Sequence, residues 1–385
     1  MPIRNLYIRE IFVIRALSNP NIMIIAIDSS SAEKKQRTGV EEYSFQLIEN
    51  FKTQVVSEGN SLVLFSPTTL KWSFKKGWMQ FRVTWELWRR PPQVFFVPGQ
   101  GLPFFISKKI KVATTIHDVG FRRRPDLYQS SEVRRQNAAT RRAVKRADVI
   151  FTPSEFTKRE LVELFKAQPE KIIVTPLAAD KFFIQKDREA IEPVLDKYRL
   201  GYKNYFLFVG RLEAKKNPAM LVPVFEDFKK RMGFGDPLRL VFVGGPGFRV
   251  EQIKKAVSTS PYKDFISSLG FVPPEDLPAL VNGALALAAP SWYEGFGIPL
   301  LEAAASGTPV IASNISAHRE VMNDAAIFAS PDASEQWISA LTRVAREPSV
   351  ITDLSTKGLE RVKNFSWVTT AKKTWETLWN MLPKN

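Results

Sequence analysis

Two glutamates flank a glycine-containing turn in the stretch APSWYEGFGIPLLEAAASG. Glu294 comes before the turn and Glu302 after it, with seven residues between them. Two carboxylates at such a spacing could form an acid–base pair, hold a nucleotide, or do no more than cap a helix. The elements around them decide which of these functions their positions allow.

A strand and a short helix are predicted on the two sides of this turn. Residues 284–291 (ALALAAPS) form an apolar run typical of a buried strand, and Pro299 suits the first position of a helix. The helix is expected over residues 300–306, with Gly307 just beyond its end. The amides of residues 295–300 would then point toward an anion or a hydroxyl, which the helix dipole favours.

Each glutamate also has a simpler interpretation. Glu302 is predicted in the first helical turn, where a negative charge is favourable whatever it binds. Glu294 could be a loop carboxylate in solvent. Neither interpretation explains why both glutamates occur with glycines between them, and this favours a ligand-binding function.

A second strand, residues 204–210 (NYFLFVG), is followed at once by cations. Arg211 comes next, and Lys216 stands just before an Asn-Pro pair that marks a helix start. The donor fork of an arginine and the ammonium of a lysine on one loop can converge on a diphosphate. A solvated basic loop is the alternative, and Lys215 is expected to be a lysine in solvent.

Two residues of the first half occupy similar positions. His117 ends the predicted strand 111–118, at the edge where parallel sheets bind ligands, and could donate a hydrogen bond to a sugar hydroxyl or phosphate. Asp118 is expected to orient the loop. Gly39 lies where a loop gives way to a helix, which lets backbone amides approach an anion. A satisfied core histidine and a plain loop glycine are the alternatives.

A third glycine-containing loop has the wrong pattern for a dinucleotide. Gly244, Gly245 and Gly247 follow the apolar run LRLVFV, but their spacing is not G-x-G-x-x-G. No suitably placed acidic residue follows a second strand. We therefore predict no nicotinamide site there.

The apolar runs predict the fold. They are nearly continuous rather than alternating, which is typical of strands buried on both faces of a parallel sheet. Because helix-length segments separate them, we predict an α/β fold with doubly wound sheets. The runs are residues 21–28, 61–66, 94–99, 111–118, 148–154, 171–176, 204–210, 238–245, 284–291 and 308–313.

These runs are too many for one core, and a polar segment at 181–203 separates two groups of them. We predict two Rossmann-like domains, residues 1–190 and 200–364, facing each other across a cleft. Residues 1–20 are interpreted as an amphipathic extension or a consequence of start-site choice. Arginines interrupt their apolar residues, which is unlike a signal peptide.

The composition excludes several classes of site. The 385 residues include no cysteine and two histidines, which excludes disulfides, thiolate metal sites and a histidine-rich zinc site. A carboxylate-rich Mg²⁺ site is not excluded. No apolar run reaches the ~18 residues of a membrane-spanning helix, and we predict a cytoplasmic protein.

The net charge of +16 is concentrated in the first half. Residues 1–190 hold 32 Lys and Arg against 19 Asp and Glu, whereas residues 191–385 hold 23 against 20. The first half should therefore attract an anionic partner. Nucleic acid, an anionic membrane surface and a phosphate-bearing substrate are the candidates.

Residues 71–90 (KWSFKKGWMQFRVTWELWRR) predict a helix with one aromatic face and a cationic stripe beside it. In the simpler interpretation the aromatic residues are core and the cations their solvated border. In the other, the helix lies in a membrane interface and contacts anionic lipid, which would make the protein peripheral on the inner face of the membrane. The face contains Phe74, Trp78, Phe81, Trp85 and Trp88, and the stripe contains Lys75, Arg82 and Arg89.

Together these segments resemble the retaining glycosyltransferases of family 4, whose two-domain fold is called GT-B. Glu294 to Glu302 (E-G-F-G-x-P-x-L-E) is similar to the family's E-x7-E signature, and Gly210 to Asn217 (G-R-L-x-x-x-K-N) to its phosphate-binding loop. The resemblance runs from about residue 22 to the end. It includes shorter segments, HD at 117–118, SEFT at 154–157 and LGFV at 269–272.

The resemblance implies functions for the residues described above. Arg211 and Lys216 would hold the diphosphate of a nucleotide sugar, and Glu302 would accept hydrogen bonds from the ribose. His117 would approach the transferred sugar from the other domain. The donor sugar and its phosphate would be bound by Glu294 and by the amides of Gly295, Phe296, Gly297 and Ile298.

Two further features follow from the resemblance. Gly39 would let the first loop approach the phosphate, although the two or three glycines usual in the family are reduced here to Thr38-Gly39. Residues 365–385 would form a helix that crosses back onto the N-terminal, acceptor-binding domain.

The implied function is retaining transfer of a mannosyl- or glucosyl-type hexose, by same-face attack and with no cofactor or essential metal. The donor would be a nucleotide-diphosphate sugar, and the acceptor a glycan or lipid-linked glycan in cell-envelope polysaccharide or glycolipid synthesis. The alternatives are a nucleotide-sugar epimerase, a pyridoxal-phosphate phosphorylase, or a basic nucleic-acid-binding protein. The last would leave Arg211, Lys216 and the two glutamates without a function, so no nucleic acid is expected.

Overall fold

A computed structural model of the protein describes residues 24–34, 37, 39–55, 61–72, 77–233 and 235–383. The predicted extension at residues 1–20 lies outside them. The described residues form two compact units. The first contains the residues up to Val119, then Arg134–Leu177 and the chain from Ser366 onward; the second contains Gly120–Val133 and Ala178–Phe365.

Each unit is built on a six-stranded parallel sheet. The strand orders are β2-β1-β3-β4-β5-β6 in the first unit and β12-β11-β10-β7-β8-β9 in the second. The strands are β1 Ile24–Asp28, β2 Ser61–Phe65, β3 Val94–Val97, β4 Lys111–Thr115, β5 Val149–Thr152, β6 Ile172–Val174, β7 Tyr205–Val209, β8 Arg239–Val243, β9 Ile266–Gly270, β10 Ala286–Ala289, β11 Val310–Ser313 and β12 Ile327–Ala329.

Helices connect the strands of both sheets. They are α1 Gly39–Val55, α2 Thr84–Arg89, α3 Gly120–Arg123, α4 Ser130–Arg146, α5 Glu155–Phe165, α6 Arg188–Lys197, α7 Leu221–Met232, α8 Val250–Thr259, α9 Leu277–Gly283, α10 Ile298–Ala305, α11 Ser316–Met322, α12 Ser334–Arg346, α13 Pro348–Val362 and α14 Trp367–Asn380. A π-helical turn, Trp78–Val83, precedes α2. Within the described residues, no helix is long and apolar enough to span a membrane.

The predicted doubly wound α/β fold is confirmed. Every one of the predicted apolar runs contains a strand, because burial on both faces of a parallel sheet selects continuous apolar sequence. Two strands, β9 and β12, were not predicted. Both lie at an edge of the second sheet, and β9 reads ISSLG, so its composition does not distinguish it from a loop.

Capping residues set some helix boundaries. Ser154 precedes α5, and its hydroxyl accepts the Thr157 amide hydrogen at 3.0 Å. Ser366 caps α14 in the same way, through the amide of Thr369. A serine at this position satisfies one of the amides that a helix start leaves without a backbone partner.

The last helix, α14, belongs to the first unit. Its Trp375 ring lies 5.6 Å from the ring of Phe51 on α1. Lys373 donates to the Val174 carbonyl oxygen at 2.9 Å, and the Thr370 hydroxyl donates to that of Pro176. The chain therefore returns to the first unit after it has completed the second.

Candidate functional site

The strand order of the second sheet defines a crevice. From β7 the chain proceeds to β8 and β9 on one side, and it then crosses to β10, β11 and β12 on the other. The loops after β7 and β10 therefore leave neighbouring strands in opposite directions. Ligands in open α/β sheets bind beyond the carboxyl ends of the strands at such a reversal.

A lysine and a glutamate from these two loops meet there. Lys216 Nζ donates to Glu294 Oε1 at 2.6 Å, and the Ser291 hydroxyl donates to the same oxygen at 2.9 Å. The side chains of Lys216 and Glu294 are only 20% and 12% exposed. Gly210 makes room for the lysine, since a Cβ there would lie 3.1 Å from Lys216 Cδ. Both of these bonds end on Oε1.

The charge of Glu294 is fixed by its surroundings. Burial raises the pKa of its carboxyl, but the charges of Lys216 and Lys215 and the Lys216 hydrogen bond outweigh burial and lower this pKa to about 2. Glu294 is therefore ionised at neutral pH and has no proton to give. It can accept hydrogen bonds from sugar hydroxyls, but it cannot serve as a general acid.

The two other cations of the loop after β7 differ in their surroundings. Arg211 is more than half exposed, and its guanidinium lies 3.8 Å from a Glu213 oxygen. Lys215 was predicted to be a lysine in solvent, and this was wrong. It is half-buried, its ammonium lies 5.8 Å from the Tyr128 ring centroid, and its charge lowers the pKa of Glu294.

The helix after the glycine turn starts earlier than predicted. Helix α10 begins at Ile298, so Pro299 is its second residue and Glu302 its fifth. The prediction that Glu302 lies in the first turn was therefore wrong, because the first turn contains no acidic residue. The helix dipole acts mainly on charges in the first turn. The dipole therefore accounts for Glu302 less well than it would in the first turn, and this strengthens the ligand-binding interpretation.

The turn itself depends on glycine. Gly297 precedes α10 with φ of 115°, a left-handed conformation that side chains rarely adopt. Pro299 has no N–H, and the Leu300 amide donates to the Gly297 carbonyl oxygen at 3.0 Å. The amides of Gly297 and Ile298 are then the ones that the start of α10 can offer to an anion.

Other members of this turn are held by packing. The Phe296 side chain is buried and lies edge-on to the Phe365 ring, at 5.8 Å between centroids. Only its backbone is therefore available to a ligand. Gly295 is buried as well.

The glycine loop after β8 has a packing function. A Cβ at Gly244, where φ is 140°, would lie 2.0 Å from the Gly210 carbonyl oxygen, and one at Gly247 would meet Glu213. These glycines therefore let the loop after β8 pack against the loop that carries Arg211 and Lys216. This explains why they occur without a dinucleotide fingerprint.

A segment from earlier in the chain borders the same loops. The Arg124 guanidinium lies 5.0 Å from the Trp292 ring centroid. A Cβ at Gly120 would lie 2.7 Å from the buried Tyr293 ring. Sequence reasoning assigned this segment to the first domain, because its contacts with the second unit are long-range and leave no local pattern.

Two family models match the sequence. Residues 195–361 match "Glycosyl transferases group 1", and residues 45–181 match "Glycosyltransferase Family 4". Together they cover most of the chain. The chain belongs to family 4 of the glycosyltransferases.

Relatives and solved structures agree with this assignment. The glycosyltransferase is 29% identical over 286 residues to O-antigen chain mannosyltransferase B of Escherichia coli, covering 74% of each chain. It is 30% identical over 240 residues to O-antigen chain mannosyltransferase RfbU of Salmonella typhimurium, covering 62% of each. Sucrose-phosphate synthase from Thermosynechococcus elongatus has a similar fold, with a TM-score of 0.74, 17% identity and coverage of 93% of this chain and 99% of that one. The predicted GT-B fold is confirmed.

Sequence reasoning missed a histidine of this glycosyltransferase. His318 on α11 is fully buried, and its Nδ1 lies 3.2 Å from the Ser313 carbonyl oxygen. A carbonyl only accepts, so the neutral ring carries its proton on Nδ1 and has a lone pair on Nε2. A Cβ at Gly297 would lie 3.3 Å from His318 Cδ2. The ring therefore packs against the glycine turn. No sequence motif indicated this contact.

The pKa of His318 predicts a pH dependence. Burial and the charge of Lys216 lower it and Glu294 raises it, and the result is about 4. In the unfolded chain His318 has an ordinary pKa near 6.5 and binds a proton that it does not bind in the folded chain. Stability therefore falls as pH falls from 6.5 toward 4. Between pH 7.5 and 5.5 this amounts to about 1 kcal/mol in the free energy of unfolding.

Urea unfolding of the wild type and of His318→Asn at pH 7.5 and 5.5 tests this. An asparagine amide can still donate to Ser313, so the variant should fold and lose most of that pH dependence. His117 remains in both proteins, and burial lowers its pKa too. An equal loss of stability in the two proteins would contradict the prediction.

In the first unit, the structure changes the expected chemistry of His117. Its Nε2 lies 3.2 Å from the Pro98 carbonyl oxygen, and its ring lies edge-on to Tyr43 at 4.7 Å. Burial lowers the pKa of His117, so the ring is neutral at pH 7, with Nε2–H donating to Pro98 and a lone pair on Nδ1. His117 would therefore accept, rather than donate, a hydrogen bond from a sugar hydroxyl.

Gly39 is the first residue of α1, at the predicted change from loop to helix. Open space surrounds the position of a Cβ there. Thr38 lies outside the described residues. The glycine is thus not required by packing, and the open space would suit a ligand approaching the start of α1.

The aromatic segment 71–90 differs from both interpretations. Trp78 points inward, and its indole N–H donates to buried Asp28 at 3.1 Å. Arg82 is bound to Glu86 at 3.2 Å and is not part of a free cationic stripe. The π turn contains more residues per turn than an α-helix, so it rotates Trp78 away from the later aromatic residues.

The remaining aromatic residues of this segment are exposed. Phe81, Trp85 and Trp88 lie on the surface, as does Arg89, so the interpretation of the aromatic residues as core was wrong for these three. Phe74 and Lys75 lie outside the described residues. The π turn and α2 pack through their other face, where Val83 and Leu87 are buried.

Proposed function

We propose that this enzyme transfers a mannosyl-type hexose, with retention, from a nucleoside-diphosphate sugar to a glycan or lipid-linked acceptor in cell-envelope polysaccharide or glycolipid synthesis. The observation that carries the proposal is the Lys216–Glu294 pair, which joins the loops after β7 and β10 at the strand reversal. The names of the relatives, both O-antigen chain mannosyltransferases, support the sugar and the product class.

The proposed reaction requires stabilisation of the charge that develops on the leaving group. Breaking the bond between sugar and phosphate leaves negative charge on the diphosphate and positive character on the sugar ring. Lys216, Arg211 and the amides at the start of α10 are cations and dipoles already in place for that negative charge. In this proposal they replace a metal ion, and none is essential.

The carboxylates position the donor. Glu302 would accept hydrogen bonds from the two ribose hydroxyls, and Glu294 Oε2 would accept one from the sugar. His117 would accept a hydrogen bond from a sugar hydroxyl through Nδ1. The incoming acceptor hydroxyl would attack from the face that the diphosphate leaves, so that the leaving phosphate takes up its proton and the configuration is retained.

A donor panel tests the proposal. GDP- and UDP-linked mannose and glucose would be incubated with the enzyme, and product formation and anomeric configuration would be followed by NMR, with and without EDTA. We expect use of one nucleoside-diphosphate hexose, retention, and no loss with EDTA. Among variants, Glu302→Gln should raise KM for the donor by about tenfold, since it removes a charged acceptor.

Three outcomes would contradict the proposal. Inversion would exclude same-face attack, and loss of activity with EDTA would require a metal. Conversion of the donor sugar without transfer would favour an epimerase.

A further inference from the structure

Exposed aromatic side chains concentrate on one part of the first unit. We call the group Phe81, Trp85, Trp88, Phe104 and Phe105 the aromatic patch. Their exposed fractions are 71%, 52%, 74%, 56% and 80%. Single exposed apolar residues are ordinary, but a group of five large rings marks an interaction surface.

The two parts of the patch are connected. The Gln80 amide donates to the Leu102 carbonyl oxygen at 3.3 Å and accepts the Phe104 amide hydrogen at 2.7 Å. Gln80 therefore fixes the loop with Phe104 and Phe105 to the helical segment with the other three. The rings of Trp85 and Trp88 lie 5.3 Å apart. The two parts of the patch therefore lie on neighbouring, hydrogen-bonded segments.

Cations border this patch. The Arg142 guanidinium lies 4.1 Å from the Phe104 ring centroid. We call the exposed cations next to the patch in the chain the basic border, and they are Arg89, Arg90, Lys108 and Lys109. Helix α4, which carries Arg142, adds further exposed cations at Arg134, Arg135, Arg141 and Lys145.

This chemistry fits one partner best. We propose that the aromatic patch and its basic border dock on the surface of a bilayer that contains anionic lipid. Aromatic rings are favourable at the boundary of headgroups and acyl chains, and cations beside them pair with lipid phosphates. A second copy of this chain would bring two basic borders together, and their repulsion disfavours such a dimer.

The biological purpose of this docking surface rests on the proposed function. A lipid-linked acceptor stays in the bilayer, so an enzyme held at that surface meets it by diffusion in two dimensions. The surface shares no residue with the proposed donor site.

Vesicle sedimentation with the full chain tests the docking surface. Wild type should bind vesicles with 30 mol% phosphatidylglycerol at low salt at least about tenfold more tightly than vesicles of phosphatidylcholine alone. The variant Phe81→Ser/Trp85→Ser/Trp88→Ser should lose at least about tenfold of the binding to anionic vesicles. Arg89→Gln/Arg90→Gln should lose about tenfold on anionic vesicles only.

The matched control is Phe182→Ser/Ile184→Ser, which removes two exposed apolar side chains of the second unit and should bind as wild type does. Circular dichroism and thermal unfolding check that every variant folds. Unchanged binding by the aromatic variant would overturn the proposal, and so would equal binding of wild type to both kinds of vesicle.

Two other partners would give results that differ from those expected for a bilayer. A wild-type dimer in sedimentation equilibrium that the aromatic variant abolishes, without vesicle binding, would assign the patch to a second copy. Binding of single-stranded RNA with no vesicle binding would assign it to nucleic acid; both results overturn the proposal. Donor hydrolysis without vesicles separates the two hypotheses, since vesicle binding by a protein that uses no nucleotide sugar would reject only the proposed function.

Discussion

Lys216→Ala should lower kcat/KM for sugar transfer by at least about 10²-fold, as the loss of a preorganised electrostatic donor does in other enzymes. The ammonium of Lys216 lies 2.6 Å from a carboxylate oxygen of Glu294, on the loop that leads into α10. Arg211 is more than half exposed, so Lys216 is the more buried of the two cations assigned to the diphosphate. Steady-state kinetics with the identified donor measure the effect.

The same change should also destabilise the fold, because it leaves the Glu294 carboxylate buried without its partner. We expect a loss of about 3 kcal/mol in the free energy of unfolding, as for other ion pairs broken on one side. The double variant Lys216→Met/Glu294→Gln removes both charges at similar volume. It should regain most of this stability and remain inactive.

These two results separate the functions of the lysine. If the double variant recovered transfer along with stability, Lys216 would serve only to neutralise Glu294. If Lys216→Ala kept wild-type kcat/KM, the leaving-group assignment would be wrong.

Gly244→Ala should lower the free energy of unfolding by at least about 3 kcal/mol. Its Cβ would lie 2.0 Å from the Gly210 carbonyl oxygen, and its φ of 140° is unfavourable for any side chain. Backbone must shift, since the nearest atoms are not a flexible side chain. Urea unfolding gives the stability, and donor binding should weaken because Gly210 precedes Arg211.

The adjacent residue supplies a matched control. Gly245 has no atom within 4 Å of a Cβ position, and its φ is not positive. Gly245→Ala should therefore stay within about 0.5 kcal/mol of wild type. Equal effects of the two substitutions would show that the close approach to Gly210 does not decide stability.

The geometry of the site changes which functions the two glutamates can have. At their spacing they could have been an acid–base pair, but a pKa of about 2 leaves Glu294 without a proton at working pH. The carboxylates therefore suit hydrogen bonds from hydroxyls, and the charge stabilisation falls to Lys216, Arg211 and the helix start. Chemistry of this kind depends on the position of the groups before the reaction begins.

Much of the fold followed from local sequence. Strands such as β7 and β10 are continuous apolar runs, and the residues after them had to reach the same sheet edge if the sheet was parallel. The start of α10 was predicted one or two residues late, because proline is tolerated at both the first and the second helical position. Strand β9 was missed because ISSLG is not an apolar run, and β12 because its apolar run IFA is only three residues long.

The sequence by itself determined the fold class and the loops that carry the candidate site. Both depend on short-range patterns, apolar runs for strands and glycine, proline and charge for the turns after them. Only the tertiary structure decided that Lys216 bonds to Glu294, that His318 supports Gly297, and that Phe81, Trp85 and Trp88 face outward. These facts depend on contacts between residues far apart in the chain, and on a π turn whose extra residue changes which face of a helix is buried.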